Sequence, residues 1–202
     1  MKYFLVLASF LCAYTLLSCN KASYSAQETQ VQEAFLPVFS IPKIDRTKGN
    51  DLIGLSVHIA EETSESRLIE YTILFKDEDH PTKLFDFFYD IFRGFKYRRI
   101  VDVETFFILF QKNQDGSWKP MKIDYPTVFG KDQRFFEKNV KHFKASLEGN
   151  SFNYQQNRII MYVNTWNHMF SNIDTNPDLE KELVSSYTVY QGTRADIDAF
   201  FK

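Results

Sequence analysis

Two stretches of this chain alternate so regularly that a sheet is the structure best able to use them. Over residues 52–60, Ile53, Leu55, Val57 and Ile59 fall on one side and Gly54, Ser56 and His58 on the other. Over 67–75 the pattern repeats, with Ile69, Tyr71, Ile73 and Phe75 against Glu70 and Thr72. Successive side chains of a strand point to opposite faces, so a period of two gives each segment one apolar face to bury. The polar stretch 61–65 between them predicts a hairpin connection. The period then changes. Leu84, Phe87, Phe88, Ile91, Phe92 and Phe95 recur at helical spacing after Pro81, with Arg93 and Gly94 suited to the end. This predicts a helix over 81–95.

The order then recurs. Residues 100–110 read as a strongly apolar strand, Asp115-Gly116 turns the chain, and 118–125 read as its partner. Asp132 opens a second helical period, with Phe136, Val140, Phe143 and Leu147 as its stripe and Gly149-Asn150 as its stop. Further on, 158–165 predict a strand, Asn176-Pro177 a short helix reaching Leu183, and 186–191 another strand. Thr193 starts a terminal helix, paired with Asp196 in the manner of a capping box, with Ile197, Phe200 and Phe201 to bury. Two successive strand–strand–helix units predict an α+β fold. Its sheet is expected to be antiparallel with helices packed mainly on one face, in a single domain over 50–202.

Ahead of that domain stands a segment of another kind. Lys2 is the only charge in the first nineteen residues, and an apolar run over 3–17 follows it. A membrane span needs about 20 apolar residues and a secretory h-region about 7–15, so the run suits export better than spanning. It ends at Leu16-Leu17-Ser18-Cys19, which resembles the lipobox of bacterial lipoproteins. The resemblance covers only this first tenth of the chain. It implies cleavage before Cys19, a diacylglycerol on the Cys19 thiol and a place in the bacterial cell envelope. Asn20 is not the aspartate that retains many enterobacterial lipoproteins in the inner membrane, so the resemblance leans towards the outer membrane. An ordinary signal cut after Ala22 or Ala26 would set Asn20 or Tyr24 where a small residue is needed, and an uncleaved anchor is the other alternative. On the lipobox reading, 1–18 are a signal peptide. Residues 19–49 are then a lipidated cysteine and a flexible stalk, polar at first and extended before Pro37 and Pro42.

The whole chain carries a formal charge of −2, and losing Lys2 with the signal would make it −3. That mild balance argues against a general nucleic-acid binder, which needs a basic excess. Cys12 would leave with the signal and Cys19 would be acylated, so packing rather than disulfides must hold the domain. Twenty-one phenylalanines predict an aromatic-dense core, while only seven glycines are left for the loops that cradle phosphate.

No cofactor or metal set emerges. His58, His80, His142 and His168 match no zinc spacing. Asp174, Asn176, Asp178 and Glu180 alternate as in a calcium loop, but Leu179 and Ser185 stand where glycine and glutamate are required. No G-x-S-x-G nucleophile motif is present. Residues 93–99 form the one basic, aromatic-laced run. They read first as cations facing a helix C-terminus and second as a contact for anionic lipid or glycan phosphates. The most unusual stretch is 161–170. If its strand persists, Tyr162, Asn164, Trp166 and His168 share a face that could stack a sugar ring or grip a peptide edge. A strand end with Trp166 in the core would use the same residues structurally. The expectation is therefore a lipid-anchored envelope protein, leaning non-enzymatic. It would bind a partner protein or cell-wall glycan and meet the membrane through its N-terminal lipid. Two alternatives stay open: an envelope hydrolase with His168 or His58 as general base, and a structural spacer.

Overall fold

The computed structural model describes residues 31–201. The expected signal peptide, the lipobox and Cys19 lie outside the described residues. Within them, eleven strands form one sheet. The first five are β1 (Val38–Pro42), β2 (Leu52–Glu62), β3 (Ser66–Phe75), β4 (Asp102–Lys112) and β5 (Trp118–Phe129). Then come β6 (Phe143–Glu148), β7 (Tyr154–Gln155), β8 (Arg158–Val163), β9 (Phe170–Ser171), β10 (Lys181–Val184) and β11 (Thr188–Gln191). The described α-helices are α1 (Lys43–Thr47), α2 (Lys83–Tyr97) and α3 (Arg194–Phe200).

The two alternating stretches pair antiparallel as β2 and β3, and β3 continues onto β4 and β4 onto β5. Ile69, Tyr71, Ile73 and Phe75 of β3 share a buried face with Phe106, Ile108 and Phe110 of β4. The Tyr71 and Phe106 rings stack at 5.2 Å. On β2 only Leu55 and Val57 of the expected apolar face are buried; Ile53 and Ile59 are exposed. The β2–β3 register slips between Leu52 and Gly54 and between Ile59 and Glu61, and such irregularities re-aim the side chains beside them.

The sheet has to curl. Its path runs β10-β1-β8-β9-β5-β4-β3-β2-β11, so β10 and β11 stand at opposite ends. Laid flat, eight spacings of about 4.8 Å would separate those ends by about 38 Å. The chain covers the gap from Val184 to Thr188 in four steps, at most about 14 Å when extended. The apolar face therefore turns inward and wraps the core.

The expected antiparallel α+β architecture is overturned. The sheet is mixed, with β1 parallel to β8, β2 to β11 and β5 to β9, and it forms a curled half-barrel with few helices. The second strand–strand–helix unit fails at 132–147. Phe143 and Leu147 are four residues apart, a spacing that fits one face of a helix and, being even, one face of a strand. The sheet edge decides between them. β6 pairs with the backbone of β5, with Phe143, Ala145 and Leu147 half-buried between exposed neighbours. The short helix expected at 176–183 is a turn, closed by the Leu179 N–H donating to the Asn176 carbonyl at 3.0 Å, followed by β10. The chain before residue 50 is also part of the fold. β1 is buried at all five positions and inserts between β8 and β10.

Candidate functional site

One end of the half-barrel is closed by charge instead of hydrocarbon. The register that sets Phe75 opposite Asp102 places that carboxylate at the lip of the inner face. Asp45 reaches the same point from α1, the short helix that leaves β1. His168 comes from the turn after β8, where its backbone is left-handed at φ 55°. Its Nδ1 lies 2.7 Å from Asp102 Oδ2 and its Nε2 lies 2.9 Å from Asp45 Oδ2. The ring stacks on Phe75 at 3.7 Å and is fully buried. Burial alone would pull His168 down, but the Asp45 charge and the hydrogen bonds to Asp102 and Asp45 outweigh it and raise it to about 10. The group is thus an imidazolium clamped by two carboxylates. With no free nitrogen and no access, it cannot serve as a general base in this geometry.

A second buried cluster adjoins the first. Arg93 of α2 is 2% exposed. Its Nη1 lies 2.8 Å from Asp77 Oδ1 and its Nε 3.2 Å from Glu78 Oε1. The Tyr89 hydroxyl donates to Glu78 Oε1 at 3.1 Å. Burial, helped by the charge of Asp102, pushes Glu78 up to about 8 against the pull of Arg93 and His168. Asp86 accepts the His80 N–H at 2.6 Å, and the Tyr89 and Trp166 rings meet edge-on at 5.9 Å. α2 is thus held down by its polar side.

Its apolar side faces out. Leu84, Phe85, Phe87, Phe88, Phe92 and Phe95 are all exposed, from 49% for Phe92 to 82% for Phe95. At 100° per residue they span an arc of about 160°. Asp86, Asp90 and Arg93 project from the opposite side, while Lys83 and Lys96 border the arc at its two edges. Lys96 Nζ sits 5.0 Å above the Phe92 ring and 4.9 Å above that of Tyr97. The helix is inside-out: charge is buried and phenylalanine is exposed.

The four residues expected to share a binding face do not share one. β8 ends at Val163, and 164–168 turn. Tyr162 is half-buried and its hydroxyl accepts from Asn153 Nδ2 at 3.1 Å. Asn164 is buried, donates to the Ile173 carbonyl at 2.9 Å and accepts from the Thr175 N–H at 3.2 Å. Trp166 is buried and its indole N–H donates to the Glu137 carbonyl at 2.8 Å. Only His168 enters the charged network, and there it is structural. Of the basic run, Arg93 is buried and paired, while Arg99 donates to the Val101 carbonyl and lies 3.6 Å from Asp198. His58 lies on β2 opposite Glu70, and the Arg194 N–H donates to that glutamate's Oε1.

A shallow cleft of about 230 Å³ opens beside Ile41, Arg46, Asn50, Glu182 and Val184. Its charges are already matched, with Arg46 Nη1 2.7 Å from Glu182 Oε2 and its Nε 3.3 Å from Asp51. The strongest unsatisfied feature among the described residues is therefore the outer face of α2. Family models, curated proteins and solved structures, each compared with the chain, give no match.

Proposed function

We propose that this chain is a lipid-anchored protein of the bacterial cell envelope, held at the outer membrane through Cys19, whose domain works by binding an apolar surface with α2. One observation carries the binding reading. A helix that buries Arg93 and exposes five phenylalanines has its contact face turned to the outside. Leaving such a stripe in water forgoes about 1.5–3 kcal/mol for each large side chain that could be buried, so it marks an interaction surface. A glycan fits it poorly, because the arc offers no hydrogen-bonding groups between its bordering lysines. Support for the anchor is the Leu16-Leu17-Ser18-Cys19 motif.

Two measurements test the two halves. Mass spectrometry of the mature chain from the membrane fraction should show an acylated Cys19 as the first residue; an intact precursor or a cut after Ala22 would overturn the anchor. A photo-crosslinking residue replacing Phe88 in cells should give adducts that the same residue at Glu62 or Lys119 does not. Equal labelling at all three positions would overturn binding through α2.

A further inference from the structure

Resting on the reading of α2 as a binding face, we infer that its occupant is the bilayer itself: α2 lies flat in the interface of an anionic membrane, phenylalanines down, and orients the domain on the surface that holds its lipid. Four observations favour a bilayer over a protein. The exposed arc is a convex stripe along one helix. Its charge is of one sign: Lys83 and Lys96 flank it, while Asp86 and Asp90 are turned to the domain side. Lysines at the two borders of an apolar arc match an interfacial helix, whose rings enter the acyl boundary while the ammonium groups reach lipid phosphates. Lys96, over two rings of its own helix, already has its stem on the apolar face.

The third observation concerns how the helix is held. An interfacial helix has to keep its polar side satisfied while its apolar side is in lipid. Here Arg93 Nη1 and Nε, the Tyr89 hydroxyl and Asp86 are bonded to 77–80, so the domain pairs most of that side, with Arg93 Nη2 and Asp90 Oδ1 left without a hydrogen bond. The fourth is reach. From Cys19 to Val31 the chain makes twelve steps, about 40 Å when extended. The 3₁₀ turn at Glu33–Phe35 packs beside Phe110, whereas the residues that clamp α2 adjoin Asp102, eight residues back along β4 or about 27 Å. A chain fixed at Cys19 is long enough to run the length of the barrel and leave α2 on the same membrane.

The test labels Phe88→Cys with an environment-sensitive fluorophore in the chain from residue 19 onward carrying Cys19→Ser, so neither the apolar run over 3–17 nor an acyl group contributes. Vesicles contain equal parts phosphatidylcholine and phosphatidylglycerol, with phosphatidylcholine alone for comparison. The label should shift to the blue and be quenched by lipids spin-labelled near the headgroup, more strongly in the anionic vesicles. Adding Phe85→Ser and Phe95→Ser should raise the lipid concentration required by about a hundredfold or more. A label at Glu62 should stay in water. If the Phe88 label stays in water while Cys19 of the native protein proves acylated, the bilayer inference is overturned and the anchor stands. If the label inserts and Cys19 proves unmodified, the anchor falls and α2 docking survives. A concentration-dependent dimer that Phe88→Ser abolishes, without any vesicle response, would assign the face to a second copy and overturn the inference.

Discussion

α2 and α3 solve opposite problems beside the same sheet. α3 is seven residues long and conventional. Thr193 and Asp196 close a reciprocal capping box, Ile197 packs on Leu74 and Val103, and Arg194 Nη1 donates to the Val103 carbonyl at 2.8 Å. α2 is fifteen residues long, has no side-chain cap, and buries an arginine where α3 buries an isoleucine. The difference shows that helical periodicity identifies two faces without saying which one is inside. What decides is the surface opposite. Apolar Leu74 and Val103 attract Ile197; Asp77, Glu78 and Asp102 attract Arg93.

If that contrast is right, the largest effect should come from the charge that holds α2. Arg93→Met should cost about 3 kcal/mol in urea unfolding, because buried Glu78 and half-buried Asp77 both lose the guanidinium bonded to them. Adding Glu78→Leu should recover much of it, and a lone Arg93→Met as stable as the parent would remove the charge-clamp account. For α3 the equivalent substitution is apolar. Ile197→Ala should lower stability by about 2–3 kcal/mol, and no pH between 5 and 9 should change that difference by more than about 0.5 kcal/mol.

Next comes the pH dependence of the charged end. Glu78 and His168 both hold their protons more tightly folded than unfolded. Their stabilisation is complete below the unfolded values and is lost as pH rises through the folded ones. The windows run from 4.5 to about 8 for Glu78 and from 6.5 to about 10 for His168. Melting temperature should therefore fall from about pH 5 to about pH 9, most steeply between 6.5 and about 8 where the two windows overlap. Glu78→Gln should flatten the lower part of that slope, and a parent profile that rises with pH would contradict the assignment. Smaller still, Thr193→Ala should cost about 1 kcal/mol through the lost cap, read by thermal unfolding. Smallest, Phe88→Ser should change stability by less than about 0.5 kcal/mol in the absence of membranes. A loss of several kcal/mol there would mean that the ring is buried after all.

Much of the central sheet was legible in the residues. The alternation at 67–75 specified the inner face of β3 side chain by side chain, and Thr193 with Asp196 announced the start of α3. The rest escaped for identifiable reasons. Phe143 and Leu147 satisfy both periods, so only the partner strand could decide between helix and strand. β1 contains Pro42 and is short, and its burial depends on β8 and β10, more than a hundred residues away. The network of Asp45, Asp102 and His168 joins three elements with no common spacing. A polar stripe of Asp86, Asp90 and Arg93 was visible in α2, and the acids at 77–79 could have been read as its counterpart. The usual preference of phenylalanine for the interior argued the other way.

The three-residue link between β10 and β11 has a temporal consequence. β10 completes the sheet on β1 and β11 completes it on β2, so both margins wait for strands that leave the ribosome last among those described. Until then β1 and β2 present unpaired backbone to other chains, and Phe39 and Leu55 beside them are uncovered. A nascent chain in that condition needs either a holding factor or an interval short compared with aggregation. Export of an unfolded precursor would provide a route in which both margins close only after the whole chain has crossed.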